Sequence, residues 1–367
     1  MVTTKIGFGH INVSRALTES LKREIPAGNI RTVSYFDFLP GWIQHLIINV
    51  YLYGLLNLPG VLKRIYIRQN SRATGGQHGF WSRYAERCYA GIIKDYNPQL
   101  IIVIQGLACQ WLARLKTSGL VSCPIVAVIT DFTAHPFWVF SQIDRYFVAT
   151  GQVKNDLIRK GIAGEKIVIS GIPVSPEFGR CYNKRKIKEE MGLDPNKISL
   201  LAMGGGWGVG KMDKILERIN CLDLSLEVMV VAGNNRRMYD KLKKRSYKLP
   251  VIIYGMLNDV SRLMAASDII ITKAGGVTVA EALSQGLVIL LVNNIPGQEK
   301  DNASYLVKSG AAIQAARIDE IGDRLRDIIQ SDNLRNRMQC ASRQIGVPDS
   351  TGNIVREIKE LVYDCIT

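Results

Sequence analysis

Short β-branched runs alternate with amphipathic stretches along most of the chain. Met1 to Gly9 reads as a short strand and a loop, and further strands are predicted at Ile30–Tyr35, Leu100–Ile104, Ile125–Ile129 and Tyr146–Ala149. Helical stretches fall between them, near Asn12–Glu24, Phe80–Asp95, Ala108–Lys116 and Val153–Arg159. The segment SGIPVSPEF, Ser170–Phe178, carries two prolines and a glycine ahead of a charged helix at Lys184–Met191, and it reads as a linker. A second alternating set follows, with strands at Ile198–Met203, Leu226–Val231, Val251–Tyr254, Asp268–Thr272 and Val288–Val292. Helices from about Asp319 close the chain, interrupted at Gly346–Pro348. Alternation of this kind means βαβ units and a mostly parallel sheet. The expected architecture is α/β, two doubly wound halves with a cleft between them. Residues 1–172 form the first half and 179–345 the second, and a last helix within 346–367 packs back towards the first. Ligands in such sheets sit beyond the carboxyl ends of the strands.

A chain of 367 residues is long for one core, which agrees with two domains. Its 47% hydrophobic and 22% charged residues exclude a disordered chain. The 47 Lys and Arg against 32 Asp and Glu leave a formal charge of +15, which suits nucleic acid, acidic headgroups or a phosphorylated substrate. Nucleic acid fits least, since no nucleic-acid module is recognisable and the basic residues are not interleaved with aromatics on one platform. The seven cysteines are scattered without metal-binding spacing and read as reduced thiols of a cytosolic protein. No apolar run approaches the roughly 18 residues of a membrane-spanning helix, and the N-terminal residues do not read as a signal peptide.

Two N-terminal stretches leave alternatives open. In KIGFGHINVSRALTESL, Lys5–Leu21, a glycine pair and a histidine precede an amphipathic run. Glycine permits a tight turn and close approach to a ligand, so GFGH is a phosphate cradle, a catalytic corner or a plain turn into a helix. Asn12 stands where the dinucleotide pattern G-x-G-x-x-G needs its last glycine. The segment WIQHLIINVYLYGLLNLPGVLKRIYIR, Trp42–Arg68, is aromatic, aliphatic and basic. It reads equally as a buried helical pair or as an element lying on a membrane, with Trp42 at headgroup level and Lys63, Arg64 and Arg68 on anionic lipid.

The second half carries the stronger signals. In LLAMGGGWGVGKMDKIL, Leu200–Leu216, a hydrophobic strand runs into Gly204, Gly205 and Gly206 and then a helix, so backbone N–H groups can reach a phosphate. Lys211 is followed by Met, so this is no Walker A loop. DIIITKAGGVTVAEALSQGLVILLV, Asp268–Val292, repeats the strand–turn–helix order at Gly275 and Gly276, with Glu281 in the early turns of the helix. A carboxylate there can accept both hydroxyls of a ribose. In NNIPGQEKDNASYL, Asn293–Leu306, the polar Gln298, Glu299 and Asn302 crowd the start of the next helix, and such groups fork between the hydroxyls of a hexose. The Asp-x-Asp pair that holds a divalent ion on a nucleoside diphosphate is absent from the sequence, so a metal-free site without other cofactor is expected.

Taken together, GFGH at 7–10, DFTAHPFWVFSQIDRYFVATGQVKNDL at 131–157, GIPV at 171–174, AMGGGWGVGK at 202–211 and TKAGGVTVAEAL…PGQEKDNASYLV at 272–307 resemble the diacylglycerol glycosyltransferases. These comprise the monogalactosyldiacylglycerol synthases and the processive diacylglycerol glucosyltransferases, and the resemblance spans nearly the whole chain. It implies a GT-B fold, with two Rossmann-like domains facing a central cleft. The implied donor is UDP-glucose or UDP-galactose as a co-substrate, the acceptor diacylglycerol, and the place of action the cytoplasmic face of the cell membrane as a peripheral protein on its anionic surface. An undecaprenyl-linked peptidoglycan precursor is the alternative acceptor. The resemblance places Gly204, Gly205, Gly275 and Gly276 at the donor diphosphate, the Met256 backbone at the uracil, Glu281 at the ribose, and Gln298, Glu299 and Asn302 at the sugar. His10, beside Gly9 in the acceptor loop, is the general-base candidate. Asp131, which shares a loop with His135, is the second. Where the family usually carries two alanines after its GxGH motif, this chain has Asn12-Val13-Ser14-Arg15-Ala16.

Overall fold

A computed structural model describes residues 1–4, 7–34, 37, 39–44, 46, 80–205, 211–292 and 297–364. The chain divides into two compact units, Met1–Val174 with Asp349–Thr367, and Ser175–Pro348. Each is built on a six-stranded sheet whose described pairings are all parallel.

In the first unit the strands are β1 (Val2–Thr3), β2 (Val33–Ser34), β3 (Ile101–Val103), β4 (Ile125–Val128), β5 (Arg145–Val148) and β6 (Ile167–Ile169), in the spatial order β2-β1-β3-β4-β5-β6. The centre is apolar because β3, β4 and most of β5 are buried along their length, as expected of parallel strands covered on both faces. The Phe8–Glu24 helix buries Val13, Ala16, Leu17 and Leu21, at the spacing of one helical face. The last helix, Ser350–Asp364, belongs to this unit and packs along Phe8–Glu24. Its start is tied to Val174, whose N–H donates to Ser350 Oγ at 3.2 Å and whose carbonyl accepts from Thr351 Oγ1 at 2.5 Å. Ile354, Val355 and Ile358 are its buried face.

The second unit contains β7 (Ile198–Met203), β8 (Leu226–Val231), β9 (Val251–Tyr254), β10 (Ile269–Thr272), β11 (Val288–Leu291) and β12 (Ala312–Gln314). Their order is β12-β11-β10-β7-β8-β9. Chain order runs outward in one direction from β7 and in the other from β10, so the switch point of the sheet lies between these two strands. That is where doubly wound sheets take their ligands. Two short edge strands were not legible in the sequence. β6 and β12 have three residues each, and in both the exposure rises along the strand, from buried Ile167 and Ala312 to exposed Ile169 and Gln314. Among the described residues no helix is long and apolar enough to cross a membrane.

One ion cluster, built around the buried Lys188, fastens the second unit at the amino ends of its central strands. Asp268, just before β10, accepts from Lys184 Nζ at 2.6 Å, Lys188 Nζ at 3.0 Å and the Ser199 N–H at 2.9 Å. Lys188, whose side chain is 4% exposed, also donates to the Lys197 carbonyl at 2.7 Å. Burial works to raise the Asp268 pKa, but the Lys184 ammonium with its hydrogen bond, the Ser199 N–H and Lys188 together hold it below the usual carboxylate value. A carboxylate with a depressed pKa stabilises the fold above its unfolded value and loses that contribution as pH falls through its folded value. Removing one partner of a buried pair strands the other charge. Asp268→Asn is therefore expected to cost about 3 kcal/mol, read by urea denaturation at neutral pH. A loss below about 0.5 kcal/mol, the range of ordinary surface substitutions, would show that the cluster does not hold the unit.

Candidate active site

At the carboxyl edge of the first sheet the chain leaves β1 through Gly7, whose φ of +91° suits glycine, and the helix begins at Phe8. The sequence places the helix start near Asn12 and GFGH in a loop. Instead Gly9 and His10 lie in the first helical turn. Glycine and histidine are poor helix formers, which hid this start, but Gly7 supplies the turn and the buried face from Val13 onward anchors it. His10 is half-buried, and its Nδ1 is shut from solvent with no hydrogen-bond partner among the described residues. Burial pushes its pKa down to about 4. A helix start also disfavours the imidazolium form.

β3 lies between β1 and β4. Two residues past its end, Gln105 Oε1 caps the Gly106–Thr117 helix by accepting from the Leu107 and Ala108 N–H groups at 2.6 and 3.2 Å. β4 runs into the loop that holds Asp131 and His135. With one strand between them, the loops after β1 and β4 leave the sheet about 10 Å apart. Asp131 is half-buried and His135 is 7% exposed. The His135 ring stacks on Phe137, with centroids 5.1 Å apart at 15°. Burial first, and then the Lys160 cation, push its pKa down to about 4. Lys160 also donates to the Ala134 carbonyl, which pins this loop. Trp42 is 70% exposed, and Lys63, Arg64 and Arg68 lie outside the described residues.

In the second unit both glycine turns stand at the switch point. Gly204 is buried and Gly205 has φ +77°, directly after β7, while Gly206 lies outside the described residues. Gly275 caps the Gly276–Ser284 helix after β10, with φ −71° and ψ 124°. A Cβ placed on Gly275 would meet nothing within 4 Å. Neither backbone strain nor packing therefore requires a glycine there, and its effect is to leave the end of the helix open. Glu281 is 5% exposed in the second turn of that helix. Met256, 42% exposed, follows β9 on the same edge of the sheet.

The Gln298–Lys308 helix, which follows β11, is fastened to the Gly275 turn by two links. The Asn302 side chain, 1% exposed, donates Nδ2 to the Ala274 carbonyl at 3.1 Å. Lys273 Nζ lies 3.0 Å from Glu299 Oε1, with both side chains 17% exposed. Gln298 is exposed at the start of the helix. Asn302 thus has one hydrogen-bonding end committed to holding the turn. Lys273, Gln105 and Lys160 were not singled out in the sequence. Lys273 pairs across 26 positions, and no local pattern reveals such a pair. Among the described residues, no three His, Cys, Asp or Glu are grouped to hold a metal ion.

Comparison with known proteins places the two halves. Residues 10–174 match the family model described as monogalactosyldiacylglycerol (MGDG) synthase, and residues 203–351 match the glycosyltransferase family 28 C-terminal domain. The processive diacylglycerol beta-glucosyltransferase of Bacillus pumilus is 32% identical over 271 residues, covering 73% of this chain and 70% of that protein. The protein of the same name from Bacillus subtilis is 27% identical over 376 residues, covering 98% and 94%. Among solved structures, MurG of Acinetobacter baumannii superposes with a TM-score of 0.64 over 98% of both chains at 13% identity, a likeness of fold. The two parallel sheets are those of the GT-B fold, and the chain belongs to the diacylglycerol glycosyltransferase family.

Proposed function

We propose that this protein transfers a hexose from UDP-glucose or UDP-galactose to diacylglycerol, by single displacement with inversion and without a metal ion. The observation that carries the donor half is the pair of glycine turns at the ends of adjacent strands β7 and β10, with Glu281 buried in the helix behind the second. Backbone N–H groups at a turn and a helix start neutralise a diphosphate. Glu281 accepts the ribose hydroxyls, and the Met256 backbone meets the uracil. Gln298 and Glu299 receive the hexose hydroxyls, while Asn302 both faces the sugar and holds the turn. The relatives' names support the acceptor.

In this reading the diacylglycerol hydroxyl oxygen bonds to the anomeric carbon as the bond from that carbon to the β-phosphate oxygen breaks. The electron pair leaves with UDP, and His10 takes the hydroxyl proton. With its pKa pushed down to about 4, His10 is neutral throughout the neutral range, so its ring is unprotonated when the acceptor hydroxyl arrives. Asp131 is the second candidate for that role. The protein acts from the cytoplasmic face as a peripheral protein, with Trp42 at the headgroups and Lys63, Arg64 and Arg68 on anionic lipid. No nucleic acid takes part.

Offering the protein UDP-glucose or UDP-galactose with diacylglycerol vesicles is expected to yield a glycosyldiacylglycerol from one of them. Transfer only to an undecaprenyl-linked precursor, or no lipid product at all, would overturn the acceptor. His10→Ala is expected to lower kcat by about 10²–10⁴-fold while UDP still binds; unchanged turnover would remove His10 from the mechanism. In the wild type the acid limb of kcat/KM should lie near pH 4–5 instead of near 6.5, because a depressed histidine pKa keeps the base form present to lower pH. Binding to anionic vesicles should weaken as salt rises, whereas indifference to such vesicles would place the Trp42–Arg68 stretch elsewhere.

A further inference from the structure

The hexose site of this reading brings two anions together. Glu299 stands in the first turn of the helix after β11, next to the turn after β10, where the UDP-hexose reading puts the donor's diphosphate. In a half-buried site the two would repel, and backbone N–H groups carry only partial charge. Lys273 supplies a full one. It follows β10 directly, two residues before Gly275, and its ammonium rests on Glu299 at 3.0 Å. The adjoining Ala274 carbonyl is held by Asn302 at 3.1 Å, so the strap that carries the cation is fixed from the same helix.

We propose that Lys273 is the cation of the donor diphosphate site, and that Glu299 is its counter-ion while the site is empty. The inference rests on the UDP-hexose reading above. When the diphosphate arrives, the Lys273 ammonium turns from the carboxylate to phosphate oxygens. Glu299 keeps the favourable field of the helix start beneath it, and its released oxygens accept the hydroxyls of the hexose. Engagement of the leaving group and recognition of the sugar thus become one event. A donor lacking either part leaves a charge unmatched.

The test is calorimetric titration of the full chain with UDP and, separately, with uridine. A charge-assisted hydrogen bond to phosphate is worth about tenfold to a hundredfold in affinity, so Lys273→Met should weaken UDP by that factor and leave uridine unchanged. Lys273→Arg should stay within a few-fold of wild type, and Glu299→Gln should bind UDP more tightly, because the ammonium no longer has a competing anion. The double variant Lys273→Met/Glu299→Gln leaves no stranded charge and should still bind UDP weakly. Unchanged UDP affinity in Lys273→Met, equal loss of UDP and uridine, or weaker UDP binding in Glu299→Gln would overturn the proposal. If the wild type bound neither compound, the UDP-hexose reading itself would fall.

Discussion

In a parallel sheet every strand leaves by the same edge, so the chain must return outside the sheet before it can pair again. That constraint gathers the loops after β1, β3 and β4 on one edge of the first sheet, and those after β7, β9, β10 and β11 on one edge of the second. Residues as distant in sequence as Gly204, Met256, Gly275 and Gln298 become neighbours of one edge for that reason alone. Where strand order reverses, between β7 and β10, adjacent loops diverge and leave room for a ligand. Both glycine turns of the second unit fall at that place.

The same arrangement gives the second sheet a locked edge and an open one. The amino ends of β7 and β10 are locked by Asp268, its two lysines and the Ser199 N–H. The opposite ends are left to the glycine turns and the Lys273–Glu299 pair. Burial acts differently on the two halves. In the first unit it keeps His10 and His135 neutral, with pKa values near 4. In the second it concentrates charge in partnered form, at Asp268 and at Lys273.

Much of the second sheet is legible in the sequence, for identifiable reasons. β10 is buried on both faces, so it had to be a continuous apolar run, and Ile269–Ile271 announces it. The turns at Gly204 and Gly275 were legible because glycine clusters at the end of such runs mark a strand-to-helix turn. β6 and β12 are hidden because three residues are too few to show a period, even where, as in Ile167-Val168-Ile169, all of them are β-branched. The helix start at Phe8 was hidden because Gly9 and His10 are weak helix formers, and only packing decides their state. Lys273–Glu299 and Asn302–Ala274 were hidden because they join positions that only the fold brings together.

A structure of the protein with UDP bound would show whether the donor's diphosphate lies at the β7–β10 switch point. Phosphate oxygens are expected within hydrogen-bond distance of backbone N–H groups in both glycine turns, at Gly204–Gly205 and at Gly275–Gly276, with the ribose hydroxyls on Glu281. UDP bound elsewhere, or phosphates that touch neither turn, would contradict that placement.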